Sequence, residues 1–249
     1  MHVERIGGPA DSPLLVFLHH GLGSITQWRD FPAKLCREVG LPGYLIDRPG
    51  HGRSEPGPDG ELYTLERESE RLLSHLAALE AETVIFVGHS DGATIALLAA
   101  SQESPNSLLG IVSIAAHVFV EDRTRAGIRA AVGDHHRLRD KLRRHHGAKA
   151  DALFWNWAGK WLSPAFDSWD IRGRLKNIRC PVLALQGTED EYGTSAQLEA
   201  IEQGCAGPVT VALIAGCGHE PHLEAPQETL PRIAAWIRAL LARSASTGS

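Results

Sequence analysis

The sequence predicts an α/β fold in which a doubly wound, mostly parallel sheet carries a small helical insertion. Short apolar runs of strand length alternate with segments of helical periodicity, which favours a sheet covered on both faces. Residues 83–100 form a strand, a Gly-flanked turn and a buried helix without a break. Residues 118–179 contain no strand run and hold four of the six tryptophans. This long segment therefore predicts a helical cap over the C-terminal edge of the sheet.

Six strands are predicted from apolar runs rich in β-branched residues. Residues typical of turns, such as Gly, Pro, Asp and Ser, follow most of these runs. In chain order, the predicted strands lie at residues 13–20, 43–47, 83–87, 108–116, 181–187 and 209–215.

Five helices are predicted from apolar residues that recur at helical spacing. The second shows this most clearly, since Leu65, Leu72 and Leu76 fall on one side of it. Gly40 and Pro42 end the first. In chain order, the predicted helices lie at residues 27–39, 63–81, 93–100, 195–203 and 226–243.

Length and composition limit the domain organisation. The chain has 249 residues, which is typical of one large α/β domain, and 43% of them are hydrophobic. We expect a core at 1–117 and 177–243, a helical cap at 118–176 and a frayed tail at 244–249. We expect a small-molecule substrate, and the sequence leaves a homo-oligomer open.

Charge, hydropathy and cysteine usage exclude several classes of protein. The net charge of −5 argues against a nucleic-acid partner. No apolar run reaches the length of a membrane span, and the first residues lack the apolar core of a secretory signal. The four cysteines are widely spaced, as is typical of reduced thiols. These features predict a cytoplasmic protein with no membrane partner.

The turn Gly88-His89-Ser90-Asp91-Gly92 matches the G-x-S-x-G pattern of a nucleophile elbow. A serine at such a sharp turn is held in a strained conformation with its hydroxyl exposed. The flanking glycines let the strand and the helix approach each other. The N-terminus of the following helix points at the serine, where negative charge develops during acyl transfer. Ser90 is therefore the candidate nucleophile.

A serine nucleophile needs a base, usually a histidine that a carboxylate orients. Candidates for both follow later predicted strands, at the same edge of the sheet as Ser90. His219 follows the strand at 209–215 and is the candidate base. Glu189, Asp190 and Glu191 follow the strand at 181–187 and are all candidates for the acid.

Five motifs together resemble the α/β-hydrolase superfamily over nearly the whole chain. Each is weak alone, but they occur in the expected order, at predicted strand ends. They are His20-Gly21 with Gly23, residues 47–54 (DRPGHGRS), residues 88–92 (GHSDG), residues 187–190 (GTED), and Gly218-His219 followed by residues 224–226 (EAP). The pattern is most similar to the branch of small-capped esterases, enol-lactonases and carbon–carbon bond hydrolases.

The resemblance implies a Ser90–His219–Asp190 triad, because its spacing selects Asp190 over the neighbouring glutamates. It also implies an oxyanion hole made by the main-chain N–H groups of Leu22 and Asp91. It implies a hydrolase fold that needs no cofactor. Ser90 would attack a carbonyl carbon, His219 would move the proton to the leaving group, and water would release the acyl-enzyme.

The chain departs from the superfamily pattern at two places. About a dozen residues precede the first predicted strand, so we expect the usual N-terminal hairpin to lack its first strand and to have a short second one. Asp91 is acidic where relatives often have a neutral residue. Its carboxylate favours the helix N-terminus, and it would repel anionic substrates if it faced the pocket.

His19, Trp28 and Trp155 are the candidate pocket residues, although a histidine near the oxyanion loop or a tryptophan can equally serve packing. Residues 48–53 are expected to have turn and hydrogen-bonding roles. The Arg-rich cap could attract acidic or coenzyme A-linked substrates, but a charged outer helix face explains it more simply.

The paired histidines at 135–136 and 145–146 lie in the same basic segment. No carboxylate or cysteine cluster accompanies them, so a solvated helix face explains them more simply than a metal site. We expect no metal and no cofactor.

The sequence thus predicts a serine hydrolase that cleaves a small carboxylic ester or lactone. A thioesterase, or a hydrolase that splits carbon–carbon bonds in ring-cleavage products, would use the same triad. Aspartate-dependent dehalogenases and epoxide hydrolases are disfavoured, because the nucleophile position holds Ser90. A ligand sensor that retains slow hydrolysis is the alternative of another class.

Overall fold

A mostly parallel sheet forms the centre of the molecule, as predicted. The computed structural model describes residues 1–9, 11–57, 64–79, 81–102 and 107–247. Its strands are β1 (His2–Ile6), β2 (Leu14–Leu18), β3 (Gly43–Asp47), β4 (Thr83–His89), β5 (Ser107–Ile114), β6 (Val182–Gly187) and β7 (Val209–Ile214). They are ordered β1-β3-β2-β4-β5-β6-β7. β1 is antiparallel to β3, and the other neighbouring strands are parallel.

Helices connect the strands and cover the sheet. They are α1 (Phe31–Val39), α2 (Leu65–Leu76), α3 (Asp91–Ala100), α4 (Asp122–Gly133), α5 (His135–His146), α6 (Ala150–Leu162), α7 (Arg172–Leu175), α8 (Ala196–Gly204), α9 (Pro221–Glu224) and α10 (Pro226–Thr247). Among the residues that the structure describes, no helix has both the length and the apolar character that crossing a membrane requires.

Alternate residues of each central strand pack into different hydrophobic layers. In β4, Val84 and Phe86 belong to one buried cluster, while Ile85 and Val87 belong to the other. This two-residue period is the geometry of a sheet buried on both faces. The helix α3 is buried from residue 91 to residue 99, which explains why its sequence is apolar on all sides.

The first predicted helix begins later than the sequence suggested. A short 3-10 turn covers Ile25–Trp28, and α1 starts only at Phe31. Arg29 interrupts the two with a φ of 53°, which a continuous right-handed helix does not allow.

The bounds of two other predicted segments also differ. The helix α2 starts at Leu65, where the Thr64 side chain accepts a 3.1 Å hydrogen bond from the Arg67 amide; Tyr63, the predicted start, lies outside the described residues. The helix α10 continues to Thr247, into the segment for which a frayed tail was predicted from Ser244. Within this helix, the Ser244 hydroxyl donates a 2.9 Å hydrogen bond to the Leu241 carbonyl oxygen.

The helices α4 to α7 form an insertion between the neighbouring strands β5 and β6. Its two ends meet in an antiparallel bridge between Phe119 and Asp170. The Ile171 amide also donates a 2.8 Å hydrogen bond to the Val118 carbonyl oxygen. The chain thus leaves and re-enters the sheet at one place, and the inserted helices are held as a unit beside the strand ends.

Candidate active site

Ser90 lies at the sharp turn between β4 and α3, with a φ of 53° and a ψ of −121°. This strained conformation is the one expected of a nucleophile elbow. A Cβ atom at Gly88 would lie 2.5 Å from the Ala93 Cα atom, and one at Gly92 would lie 2.0 Å from the Leu18 carbonyl oxygen. Glycine is therefore required at both positions. A 2.8 Å hydrogen bond from the Ser90 amide to the Ile114 carbonyl oxygen also fixes the turn.

The structure brings His219 and Asp190 together from the loops after β7 and β6. The His219 Nδ1 atom lies 2.9 Å and 3.0 Å from the two carboxylate oxygens of Asp190. The carboxylate also accepts hydrogen bonds from the Tyr192 amide at 2.8 Å, the Gly193 amide at 3.3 Å and the Gln186 side chain at 3.2 Å. These donors fix the orientation of Asp190, which in turn orients the His219 ring.

The neighbouring carboxylates determine the protonation of this pair. Burial alone would lower the pKa of His219, but the hydrogen bond and charge of Asp190, with the charges of Glu191 and Glu220, raise it above its ordinary value. Burial opposes the charge of Asp190 as well, but the hydrogen bond and charge of His219, the Tyr192 amide and the charge of His117 together outweigh it and lower the pKa of this carboxyl group. Asp190 is thus an anion at neutral pH.

The loop after β2 contains Leu22, one of the two predicted oxyanion donors. The Nε2 atom of His51 lies 3.0 Å from the Gly21 carbonyl oxygen, and that of His146 lies 3.0 Å from the Leu22 carbonyl oxygen. The carboxylate of Asp47 accepts 2.7 Å and 2.8 Å hydrogen bonds from the Ile25 and Arg53 amides. These contacts confirm the structural role predicted for the loop at 48–53.

His146 is not solvated, contrary to the expectation for the paired histidines. Its side chain is buried. Its Nδ1 atom accepts a 2.9 Å hydrogen bond from the Gly52 amide, while Nε2 donates to the Leu22 carbonyl oxygen. Burial lowers the pKa of His146 to about 4. His146 is buried because α5 packs on the loops that contain Leu22 and Gly52, which are distant from it in the sequence.

A cavity of about 210 Å³ opens beside Ser90, between the sheet and the inserted helices. Ser90, His219, Leu22 and Asp91 all line it. The wall formed by the inserted helices is largely apolar. It contains Thr124, Ile128, Ala131, Leu138, Lys141, Leu142, Trp157 and Trp161.

The three tentative pocket residues do not line this cavity, and the structure corrects them. Trp28 is buried in the core, where its ring lies 5.8 Å from that of Phe17. His19 is buried, and its Nε2 atom accepts a 3.2 Å hydrogen bond from the Arg48 amide. Trp155 is 50% exposed on the outer side of α6. Trp28 thus packs in the core, His19 binds the loop at 48–53, and Trp155 faces solvent.

The residues in their place are His20, His117, Trp157 and Trp161. The two tryptophans are four residues apart and share a helix face with buried Phe154. This spacing is visible in the sequence and would have favoured them over Trp155. His117 directly follows the strand predicted at 108–116, so it lies at the same sheet edge as the triad.

One group of side chains has the composition of a metal site. Potential ligand atoms of His20, His89 and Glu220 lie within 4.8 Å of one another. The Nε2 atom of His89 already lies 2.8 Å from the His219 carbonyl oxygen. A zinc ion lies about 2.0–2.2 Å from such ligand atoms. Three ligand atoms of one zinc ion are therefore closer to one another than the 4.8 Å limit that describes this group. The absence of a metal stays a prediction.

Comparison with known proteins agrees with this architecture. The sequence pattern of the alpha/beta hydrolase family matches residues 15–232. An sn-1-specific diacylglycerol lipase of Mus musculus is 30% identical over 97 residues, which are 39% of this chain and 31% of the lipase. A 2-succinyl-6-hydroxy-2,4-cyclohexadiene-1-carboxylate synthase of Serratia proteamaculans is 30% identical over 124 residues, which are 50% of this chain and 46% of the synthase. The matches thus span less than half of either relative.

Solved structures resemble the chain over nearly its full length. The enol-lactonase from Burkholderia xenovorans has a TM-score of 0.73 and 19% sequence identity, covering 95% of this chain and 96% of that one. At this identity the likeness concerns the fold. The family match over most of the sequence, the mostly parallel sheet and the serine at its strained turn together lead to one conclusion. The chain belongs to the alpha/beta hydrolase family.

Proposed function

We propose that the protein is a serine hydrolase that cleaves a small carboxylic ester or lactone through an acyl-enzyme. One observation supports this most strongly. Ser90 lies at positive φ and opens into the same cavity as His219, whose Nδ1 atom is held by Asp190. A nucleophile, a base and an acid that orients the base are the minimum that such chemistry needs.

In the first half-reaction, the Ser90 Oγ atom attacks the carbonyl carbon and gives its proton to His219 Nε2. The tetrahedral intermediate collapses, the bond to the alcohol oxygen breaks, and that oxygen takes the proton from His219. In the second half-reaction, water attacks the acyl-enzyme in the same way and returns Ser90 to its hydroxyl form. The products are one carboxylic acid and one alcohol, or one hydroxy acid from a lactone.

The main-chain N–H groups of Leu22 and Asp91 are the donors we propose for the developing oxyanion. Both residues line the cavity beside Ser90. Asp91 is the first residue of α3, so the helix N-terminus adds its dipole. His51 contacts the peptide that carries the Leu22 N–H group, since its Nε2 atom lies 3.0 Å from the Gly21 carbonyl oxygen of that peptide. Such preorganised donors are typically worth about 3–4 kcal/mol each to the transition state.

The cavity favours a neutral substrate over an anionic one. Its described lining contains four carboxylates, at Asp91, Glu191, Glu220 and Glu224, and one ammonium group, at Lys141. Like charges repel strongly in a partly desolvated cavity. A substrate with several carboxylates, or a coenzyme A thioester, is therefore less favoured than an uncharged ester or lactone.

We further propose that residues 118–176 act as a cap that shapes the substrate pocket. The core would then comprise residues 1–117 and 177–243. Four of the inserted helices' large apolar side chains, Leu138, Leu142, Trp157 and Trp161, face the cavity. The cytoplasmic location, the oligomeric state and the lack of a cofactor stay predictions from the sequence.

The direct test is labelling with a fluorophosphonate probe, followed by intact mass and peptide mapping. We expect one label on Ser90, no label on Ser90→Ala, and unchanged labelling of Ser101→Ala, which removes a hydroxyl at the opposite end of α3. p-Nitrophenyl esters of increasing chain length should be cleaved by the wild type and by Ser101→Ala only. Turnover by Ser90→Ala near the wild-type rate would disprove the assignment.

Two outcomes would direct attention to the alternatives. Labelling of Ser90 with negligible ester turnover would favour a thioester or carbon–carbon substrate, or a sensor with slow hydrolysis. An unlabelled Ser90 in the folded protein would contradict the proposed nucleophile.

A further inference from the structure

Two histidines and one glutamate meet at one wall of the substrate cavity. Potential ligand atoms of His20, His89 and Glu220 lie within 4.8 Å of one another, and all three residues line the cavity beside Ser90. They come from three separate parts of the chain, which are the loop after β2, the end of β4 and the loop after β7. His89 immediately precedes Ser90, and Glu220 immediately follows His219. The group is therefore next to both the nucleophile and the base.

The ring of His89 is held in the way that metal-binding histidines are held. Its Nε2 atom donates a 2.8 Å hydrogen bond to the His219 carbonyl oxygen. In metal sites, a partner of this kind fixes the tautomer and orients the ring toward the ion. The proton on Nε2 leaves a lone pair on Nδ1. The His222 ring also packs against the His89 ring, with the two centroids 4.7 Å apart, so that the His89 ring has little freedom to turn.

The side chains of His20 and Glu220 have no competing partner. Among the described residues, neither the His20 ring nor the Glu220 carboxylate makes a hydrogen bond or an ion pair. The carboxylate of Glu224, in the same loop as Glu220, instead accepts 2.8 Å hydrogen bonds from the Gly218 and Glu220 amides. His20 and Glu220 are half-buried, whereas His89 is only 1% exposed. The group is thus closed by His89 on one side and open to the cavity on the other.

The composition of the group favours a zinc ion over a magnesium or calcium ion. Zinc accepts two imidazole nitrogens and one carboxylate, usually with water in the fourth position. Magnesium and calcium prefer oxygen ligands. Ligands of a tetrahedral zinc ion lie about 3.4 Å apart, so shifts of about 1 Å or less in each side chain bring the three atoms to one ion. The described lining of the cavity holds four carboxylates and one ammonium group, and this excess of negative charge attracts a cation.

We propose that His20, His89 and Glu220 bind a zinc ion that inhibits the enzyme. The ion would lie next to His219, which becomes positively charged when it takes the proton of Ser90. Two nearby positive charges repel each other strongly in a partly desolvated cavity, so the bound ion raises the energy of this first step. The metal site itself does not depend on which ester is cleaved. The sequence-based prediction of no metal concerns a metal that the reaction needs, whereas this ion opposes the reaction.

The test measures how fast a fluorophosphonate probe labels Ser90 as ZnCl2 is added in a buffer without chelators. We expect zinc to slow labelling of the wild type, EDTA to restore it, and MgCl2 at the same ionic strength to have no effect. Glu220→Gln and His20→Gln each replace a strong zinc ligand by an amide. Each should raise the half-inhibiting zinc concentration ~10- to 100-fold. Every variant is compared with its own zinc-free rate, which cancels general losses of activity.

The matched control is Glu191→Gln. Glu191 lines the same cavity, follows the triad residue Asp190 directly and acts on His219 through its charge, as Glu220 does. This variant therefore makes the same change of charge without removing a ligand. The half-inhibiting zinc concentration should stay within about fivefold of the wild-type value, because a charge that does not bond the ion acts through partly screening solvent.

Equilibrium dialysis followed by metal analysis provides a readout apart from activity. At zinc concentrations between the two half-inhibiting values, the wild type should bind one zinc ion more than Glu220→Gln. Zinc bound by the four free cysteines cancels, because both proteins contain them. Labelling that zinc does not slow, equal zinc binding by these two proteins, or an equal shift in Glu191→Gln would each overturn the site. An unlabelled Ser90 without zinc would instead contradict the proposed hydrolysis, and dialysis would still decide on the metal site.

Discussion

His146 offers a sharp test of how the inserted helices are attached to the core. Its ring joins α5 to the Gly52 amide and to the Leu22 carbonyl oxygen, and it is buried as the neutral form. Protonation of Nδ1 would place an N–H group against the Gly52 amide. The perturbation is His146→Gln, which keeps a polar side chain of similar length but does not titrate near neutral pH.

The magnitude follows from the depressed pKa. Burial lowers the pKa of His146 from 6.5 to about 4, so the unfolded chain binds a proton more readily than the folded protein does. The contribution of neutral His146 to the free energy of unfolding is fully present above the pKa of the unfolded chain. It is lost as the pH falls toward the lower pKa of His146 in the folded protein. Between about pH 7.5 and about pH 5, linkage gives a loss of about 2 kcal/mol from this one side chain.

The assay is urea unfolding at these two pH values, followed by tryptophan fluorescence and circular dichroism. At the higher pH we expect His146→Gln to be less stable than the wild type by about 1–2 kcal/mol, because two buried hydrogen bonds are disturbed. At the lower pH the difference should shrink by about 2 kcal/mol, since only the wild type loses stability at this site. The other histidines cancel because both proteins contain them.

The control is His136→Gln, on the exposed side of the same helix. It should change the free energy of unfolding by less than about 0.5 kcal/mol at either pH. An equal difference between wild type and His146→Gln at both pH values would refute the reasoning, because His146 would then titrate alike in the folded and unfolded states.

Three further predictions concern the triad and the elbow. Asp190→Asn should lower kcat/KM for an ester by on the order of 10⁴-fold, because the base loses its orienting anion. Glu189→Gln should change kcat/KM little. The opposite result would assign the role of the acid to Glu189 instead of Asp190. The raised pKa of the base means that activity falls with decreasing pH from above 6.5. Glu191→Gln should move this acidic limb to lower pH in a kcat/KM profile, and an unmoved limb would contradict the proposed influence. Gly92→Ala should destabilise the protein by about 3 kcal/mol in thermal unfolding, while Gly133→Ala, where a Cβ has free space, should not.

The sequence alone was sufficient for the six parallel strands β2 to β7 and for the order of the site residues, whereas the antiparallel edge strand β1 was not among the predicted strands. Buried parallel strands require nearly continuous apolar runs, so the strands at 43–47 and 209–215 were predicted within a residue of their observed bounds. The elbow was equally visible, because only glycine fits beside Ser90 at positions 88 and 92. Strand-end placement then brought His219 and Asp190 to the edge where Ser90 lies.

Only the tertiary structure decided which side chains line the cavity and which bind the loops together. As large aromatic residues, Trp28 and Trp155 were as plausible for the cavity wall as Trp157. Trp28, however, is buried in the core, and Trp155 faces solvent. His146 looked like its exposed neighbours, and became structural because α5 packs on Gly52 and Leu22. Local sequence specifies periodicity and turns, because these depend on neighbouring residues. Burial of a particular ring depends on which distant segments pack against it, and a linear pattern does not contain that information.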